Sequence, residues 1–199
     1  MCANKDVGGL GFRDISVFNR AILAKQGWRL ATNSNSLAAH VLKNCYYPDT
    51  SFLNAKVISW GSQTWKKFLW GRGIITAGSR WRIGTGSTIS IYGDRWIPRP
   101  STFHVISPRV FRDFMTINSL LLPSGGWKVP LIVSSFLADD DEAILNLPTG
   151  SSYSHDSLLW HFEKSGNYSV RSGYKIGMSL DCRASISSSS GLEAWWKFL

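Results

Sequence analysis

At 199 residues the chain is long enough for one domain or two small ones. Its 44% hydrophobic and 13% aromatic content gives it material for a packed core and argues against wholesale disorder. Three widely spaced cysteines form neither a disulfide framework nor a zinc pattern, and no apolar run is long enough to span a bilayer, so no membrane partner is expected. The formal charge of +9 is concentrated in the first half: residues 1–100 hold 14 Lys and Arg against 4 acids, and residues 101–199 hold 8 against 9. That half has the charge of a polyanion-binding surface, or of an ordinary solvated face.

The opening Gly8-Gly9-Leu10-Gly11-Phe12 is turn-rich. Asp14 is placed to cap a helix running to about Leu30, with Val17, Phe18, Ala21, Ala24 and Trp28 on one stripe. Arg20 and Arg29 fall away from that stripe, towards solvent or a ligand. Asn33-Ser34-Asn35-Ser36 breaks this helix and caps a second. Leu37, Ala38, Val41, Leu42 and Cys45 make an apolar face there, with Cys45 expected to be buried, and Pro48 stops it. A third helix begins near Ser62 and turns Trp65, Phe68 and Leu69 inward, with Lys66, Lys67 and Arg72 on or beside it.

After Gly78 the period changes. Trp81-Arg82-Ile83 and Ile89-Ser90-Ile91 alternate like strands around the turn Gly84-Thr85-Gly86-Ser87, which predicts a β-hairpin at about residues 80–92. Short helical pieces are expected at Asn118–Leu122 and Val133–Leu137. Another helix opens at Asp139-Asp140-Asp141-Glu142, carries Ala143, Ile144 and Leu147 on its apolar side and ends before Pro148. Leu158, Trp160 and Phe162 alternate, the turn Lys164-Ser165-Gly166-Asn167 follows, and Tyr168-Ser169-Val170 returns, which predicts a second hairpin at about 156–170 and a helix from Ser172. Ser185–Ser190 reads as a flexible stretch before an apolar element at Ala194–Leu199. The expected fold class is therefore α+β, mostly helical with two short β-hairpins.

Several patterns could carry chemistry. The glycines at 84 and 86 would let backbone N–H groups cradle a phosphate, but their spacing matches no nucleotide-binding fingerprint, and a plain turn is the better reading. The four acids at 139–142 offer oxygens to Mg²⁺, yet consecutive helical residues diverge, and a helix start suffices. His40, His104, His155 and His161 are scattered, without ligand spacing or a nucleophile elbow. The strongest pattern is basic and aromatic: Lys66, Lys67, Arg72, Arg80, Arg82, Arg95 and Arg99 are interleaved with Trp65, Trp70, Trp81 and Trp96. Lys and Arg bind phosphates by releasing counterions, and aromatic faces stack on unpaired bases. In the predicted strand, Trp81 and Ile83 share one face and Arg80 and Arg82 the other. Lys66, Lys67, Arg72, Arg80, Trp81, Arg82, Arg95 and Trp96 are thus the candidate nucleic-acid contacts. The competing reading makes the tryptophans core and the arginines solvated. No catalytic residue, metal ligand or cofactor site is assigned.

Three segments carry a resemblance. Phe18-Asn19-Arg20-Ala21-Ile22-Leu23-Ala24-Lys25-Gln26-Gly27-Trp28-Arg29-Leu30 resembles the "FN-ALLAKQ-WRL" stretch of plant non-LTR (LINE-type) retrotransposon reverse transcriptases. Trp81-Arg82-Ile83-Gly84-Thr85-Gly86 with Ile89–Pro98 is similar to their "WRIGNG-SI-IW-D-WLP" block. Asp156-Ser157-Leu158-Leu159-Trp160 with Ser165–Tyr174 is similar to "D-LIW … G-YSVKSAY", which leads into their zinc-binding domain, as does Trp195-Trp196-Lys197-Phe198-Leu199. The resemblance implies three regions: a basic helical post-polymerase connecting region with a hairpin (1–100), an irregular helical linker (101–150) and the start of the zinc-binding domain (151–199), cut short at Leu199. The polymerase Tyr-x-Asp-Asp motif, the endonuclease and the ribonuclease H acids of that family are not in this sequence. The expectation is a non-catalytic part of such an enzyme that contacts RNA or DNA without sequence specificity. Its neighbours would be the polymerase and zinc-binding segments, and its residence nuclear if the parent element's habit applies. A degenerate genomic remnant and a protein-interaction module with exposed aromatics are the alternatives.

Overall fold

A computed structural model describes residues 14–100, 102–149 and 154–186, with only the backbone course for 183–186. The Gly8–Phe12 turn, the serine run from Ser187 and the Ala194–Leu199 element lie outside the described residues. The fold is α+β and mostly helical, as expected, and the chain divides into two compact units. One combines the residues up to Gly78 with those from Tyr168 onward; the other is Ser79–Asn167.

The first unit is a helical assembly. Helix α1 (Ile15–Thr32) starts where Asp14 accepts the Val17 N–H at 3.0 Å, the predicted cap. It buries Val17, Ala21, Ala24 and Trp28 along the predicted stripe. Helix α2 (Leu37–Tyr46) is capped by Ser36. Helix α3 (Gln63–Gly78) follows Ser62, whose hydroxyl accepts the Trp65 N–H at 3.2 Å. Helix α6 (Val170–Ile186) packs against α1 and α3. The Tyr168 hydroxyl, just before α6, donates to the Ala21 carbonyl at 2.9 Å, and burial raises its pKa well above the ordinary tyrosine value. Arg20, expected to face solvent or a ligand, instead joins α1 to α6 by pairing with Asp181 at 2.9 Å and donating to the Gly177 carbonyl.

Helices α1 and α3 meet at a glycine. A Cβ on Gly71 would lie 2.6 Å from the Ala24 backbone nitrogen, so only hydrogen fits. Gly71→Ala is expected to lower stability by about 2–3 kcal/mol through overpacking against backbone that cannot yield, read as a reduced urea midpoint with unchanged slope.

The apolar face expected on α2 is not buried. Ala39 is its one buried residue, Leu37 is 80% and Val41 52% exposed, and Cys45 is exposed. The helix is held at its C-terminal end instead of along its length. There Tyr46 stacks on Trp65 with ring centroids 4.7 Å apart, and Tyr47 stacks on the same indole at 5.4 Å. Aromatic contact at one end leaves the aliphatic stripe outside the core.

In the second unit the two predicted hairpins are replaced by one long-range pairing. Strand β1 (Ser79–Arg82) pairs antiparallel with β2 (Ser157–Trp160), Ser79 opposite Trp160 and Arg82 opposite Ser157. The turn after β1 exists, but it does not fold the chain back on itself. Asp156 accepts the N–H groups of Gly84 (2.8 Å), Gly86 (2.8 Å) and Thr88 (3.0 Å) and the Thr88 hydroxyl (2.8 Å), which locks the turn beside β2. The expected return strand at 89–91 pairs elsewhere: the Ile117 N–H reaches the Ile89 carbonyl and the Ile91 N–H the Met115 carbonyl. Likewise Trp160 N–H donates to the Gly166 carbonyl in a tight turn, and Val170 opens α6 instead of a returning strand.

The core of this unit gathers Ile83, Ile89, Ile91, Trp96 and Ile97 from one segment with Ile117, Leu120, Ile132, Phe136 and Ile144 from another. The expected pieces at 118–122 and 133–137 become a 3₁₀ turn at Ile117–Leu120 and helix α4 (Val129–Ser135), which carries Pro130 in its first turn, where proline is tolerated. Helix α5 (Ala138–Leu145) opens on Asp139, Asp140 and Asp141 as predicted.

Candidate nucleic-acid interface

The eight predicted contacts fall in both units. Lys66, Lys67 and Arg72 belong to the first; Arg80, Trp81, Arg82, Arg95 and Trp96 belong to the second. Lys66 and Lys67 are exposed on α3. Arg72 is half-buried and donates to the carbonyls of Ala55 and Phe52, and burial lowers its pKa. That geometry braces the loop before α3 and leaves Arg72 a structural residue.

Strand alternation sorts the residues of the second unit. Ile83 is buried, and Trp81 is half-buried against the hydrophobic core. Arg80 and Arg82, on the other face, line an open groove of about 330 Å³ together with Leu147, Leu159, His161 and Lys164. The predicted division into an apolar and a cationic side is what β1 presents. Pairing with β2 adds the groups that sequence reasoning missed. From sequence, Lys164 is only part of a turn and His161 one of four scattered histidines. Their local spacing carries no signal, because they meet Arg80 and Arg82 only through a pairing some 80 residues long, as in Ser79 with Trp160.

The Arg80 Nε donates to His161 Nδ1 at 3.3 Å. Burial and the neighbouring Arg80 charge lower the His161 pKa, so the ring is a neutral acceptor near pH 7. Burial and the charge of Arg82 also lower the Arg80 pKa. Gly166 (φ +71°) turns the chain close beneath Arg82: a Cβ there would stand 3.1 Å from the guanidinium Nη2. Among the described residues, no carboxylate lies within ion-pair distance of Arg80, Arg82 or Lys164, whereas Arg20, Arg99 and Arg109 each have one. Glu163 also lines the groove.

The remaining candidates have structural work. Trp96 is fully buried, stacks on Trp127 at 6.3 Å and donates its indole N–H to the Ile91 carbonyl, so it offers no face to a base. Arg95 donates to the Thr102 carbonyl and lies 5.2 Å from the Phe103 ring centroid, with its pKa lowered by burial. Arg99 pairs with Asp140.

Two other patterns have their own geometry. The Gly84–Ser87 turn is an anion cradle, but its anion is the chain's own Asp156. Burial opposes charge on that carboxylate, yet the hydrogen bonds from Thr88, Gly84 and Gly86 hold its pKa below the usual range. The acidic run does not converge on an ion: Asp140 points into the protein, and among the described residues no group of three or more His, Cys, Asp or Glu could hold a metal.

Two plant proteins share sequence with this chain. One, from Arabidopsis thaliana, is named "Putative ribonuclease H protein At1g65750"; it is 32% identical over 187 residues, covering 88% of this chain and 29% of that protein. The other, "Uncharacterized mitochondrial protein AtMg00310" of the same plant, is 37% identical over 98 residues, or 49% of this chain and 64% of that protein. The chain therefore spans less than two thirds of either relative. No protein-family model matches it, and no solved structure matches it. The relationship to plant proteins, one of them named for ribonuclease H, accords with the retroelement resemblance of the sequence.

Proposed function

We propose that this chain is a non-catalytic segment of a plant non-LTR retrotransposon reverse transcriptase, from the region after the polymerase and leading into the zinc-binding domain, and that it holds nucleic acid without reading sequence. The observation that carries the nucleic-acid reading is the convergence of Arg80, Arg82 and Lys164 on one groove with no carboxylate paired to any of them among the described residues. Unpaired guanidinium groups in a concave setting suit phosphate oxygens, whose backbone is the same in every sequence. The charge excess of residues 1–100 and the exposed Lys66 and Lys67 favour the same class of partner. The three segments that carry the family resemblance support the parentage, as does the ribonuclease H name of one relative. In the parent enzyme this segment would adjoin the polymerase and zinc-binding parts and steady the template or primer strand.

The test is a titration of the chain into labelled RNA and DNA at several salt concentrations. Binding is expected to weaken steeply with salt. Arg80→Glu with Arg82→Glu should weaken RNA and DNA binding alike by roughly tenfold or more and flatten the salt slope by about 2, near one unit per lost phosphate contact. Unchanged affinity in a folded double variant would refute the placement. Arg95→Glu is a poor substitute, because it strikes a residue that the fold itself uses.

A further inference from the structure

Arg80 is half-buried at a concave site with the like charge of Arg82 beside it, and Lys164 and Glu163 line the same groove. The Arg80 Nε is committed to His161, which leaves the two Nη groups without a hydrogen-bond partner among the described residues. Two like charges held together in a partly desolvated place favour an anion supplied from outside. The shape of the groove narrows the kind of anion. At about 330 Å³ it is small, near the lower end of the roughly 300–1,000 Å³ typical of ligand pockets. Its walls are also partly apolar, because Leu147, Pro148 and Leu159 line it beside the cations.

A duplex fits this arrangement poorly. Its phosphates stand on the outside of a stiff cylinder, and its base faces are covered by their neighbours. An unpaired nucleotide brings a phosphate on a flexible backbone and an uncovered base face that apolar side chains can take up. We propose that the groove is a subsite for one unpaired nucleotide of an RNA or DNA strand. The phosphate lies on Arg80 and Arg82, and the sugar and base lie against Leu147, Pro148 and Leu159. This rests on the nucleic-acid reading above and makes it more specific: the chain holds a single-stranded stretch or end, not a paired one.

The experiment compares short labelled single strands of RNA and DNA with blunt-ended, fully paired duplexes of the same composition, by anisotropy on the whole chain. Single strands are expected to bind roughly tenfold tighter, the gain from covering about 50 Å² of base face with apolar side chains. Thr149 borders the groove, so Thr149→Trp should fill it without removing a charge. That variant should bring single-strand affinity down to the level of paired strands. In parallel, a strand carrying a photoreactive 4-thiouridine or 4-thiothymidine is crosslinked to the unmodified chain. Crosslinks on the peptides holding residues 147–149 or 159–166 are expected, and they decide the matter if the tryptophan variant does not fold. Equal affinity for paired and unpaired strands, or crosslinks confined to other peptides, would overturn the subsite and leave general nucleic-acid binding standing. Absence of binding to every strand would overturn both. RNA and DNA single strands run side by side show which sugar the groove accepts.

Discussion

Asp140→Ala is expected to destabilise the second unit by about 3–5 kcal/mol, the loss that follows when one partner of a buried charge pair is removed. Asp140 has no exposed surface, and it accepts from Arg99 Nη1 (3.0 Å), the N–H groups of Ile106 (2.9 Å) and Ser107 (2.8 Å) and the Ser107 hydroxyl (2.6 Å). Alanine would leave a guanidinium and two backbone donors facing an empty space. These contacts tie α5 to the 99–107 segment, so the loss should be felt throughout that unit. Tryptophan fluorescence during urea denaturation measures it. Acid should act in the same direction. Burial opposes the charge of Asp140, but the Ser107 and Arg99 hydrogen bonds outweigh it and hold the pKa below the usual 3.8. A carboxyl whose folded pKa is depressed contributes stability that is present above its unfolded pKa and is lost as pH falls through the folded one. The unaltered chain should therefore lose this share of stability below about pH 4, and Asp140→Asn should lose less over the same interval. A variant with the same acid profile as the unaltered chain would show that the carboxylate is not the anchor.

Asp156→Ala should be nearly as damaging, at about 3 kcal/mol, because it strips the acceptor from three backbone N–H groups at once. A replacement in the turn cannot compensate. Gly84 has no room for a side chain, since a Cβ there would sit 2.0 Å from the Ser154 carbonyl oxygen. The cradle left behind by Asp156→Ala is a small anion site, so sulfate or phosphate should restore part of the lost stability to this variant and give less to the unaltered chain. If the variant melts like the parent, with or without sulfate, the clamp is not what positions β1 beside β2.

The parts of the fold that could be read from sequence were those whose causes are local. Asp14 caps the helix it was expected to cap, Ser36 of the 33–36 break caps the second, and the third begins after Ser62 as expected, since an N-cap acts over three residues. The alternation of Arg80, Trp81, Arg82 and Ile83 sorted charge from core correctly, because it follows from the pleat alone. Strand partners could not be read in this way. Two sound turn signals predicted two hairpins, but Asp156 reaches back to the first turn and recruits β2 to β1. The same distance hid Lys164 and His161 from the candidate site. Trp96 was misplaced for a different reason: its arginine neighbours gave it the look of a stacking platform, and only the three-dimensional core shows it sealed against Trp127. The stripe on α2 was recognised correctly as apolar; its burial was not decided by the stripe but by the aromatic stack at one end.

The first unit is assembled from two stretches of chain with the whole of the second unit between them. This has a consequence for the order of events on the ribosome. Helices α1 and α3 emerge early, but α6 and Tyr168, which donates to the Ala21 carbonyl, are made only after Ser79–Asn167. Until then, the surfaces of α1 and α3 that α6 will cover are open to water and to other chains. The inserted unit has no such wait, because Ser79 and Trp160 pair near its two ends and its core is internal. Closing that pair early replaces a long floppy loop with a short bridge, which lowers the entropy that α6 must overcome to find its place. Nascent chains halted before Tyr168 should accordingly be the ones that chaperones hold.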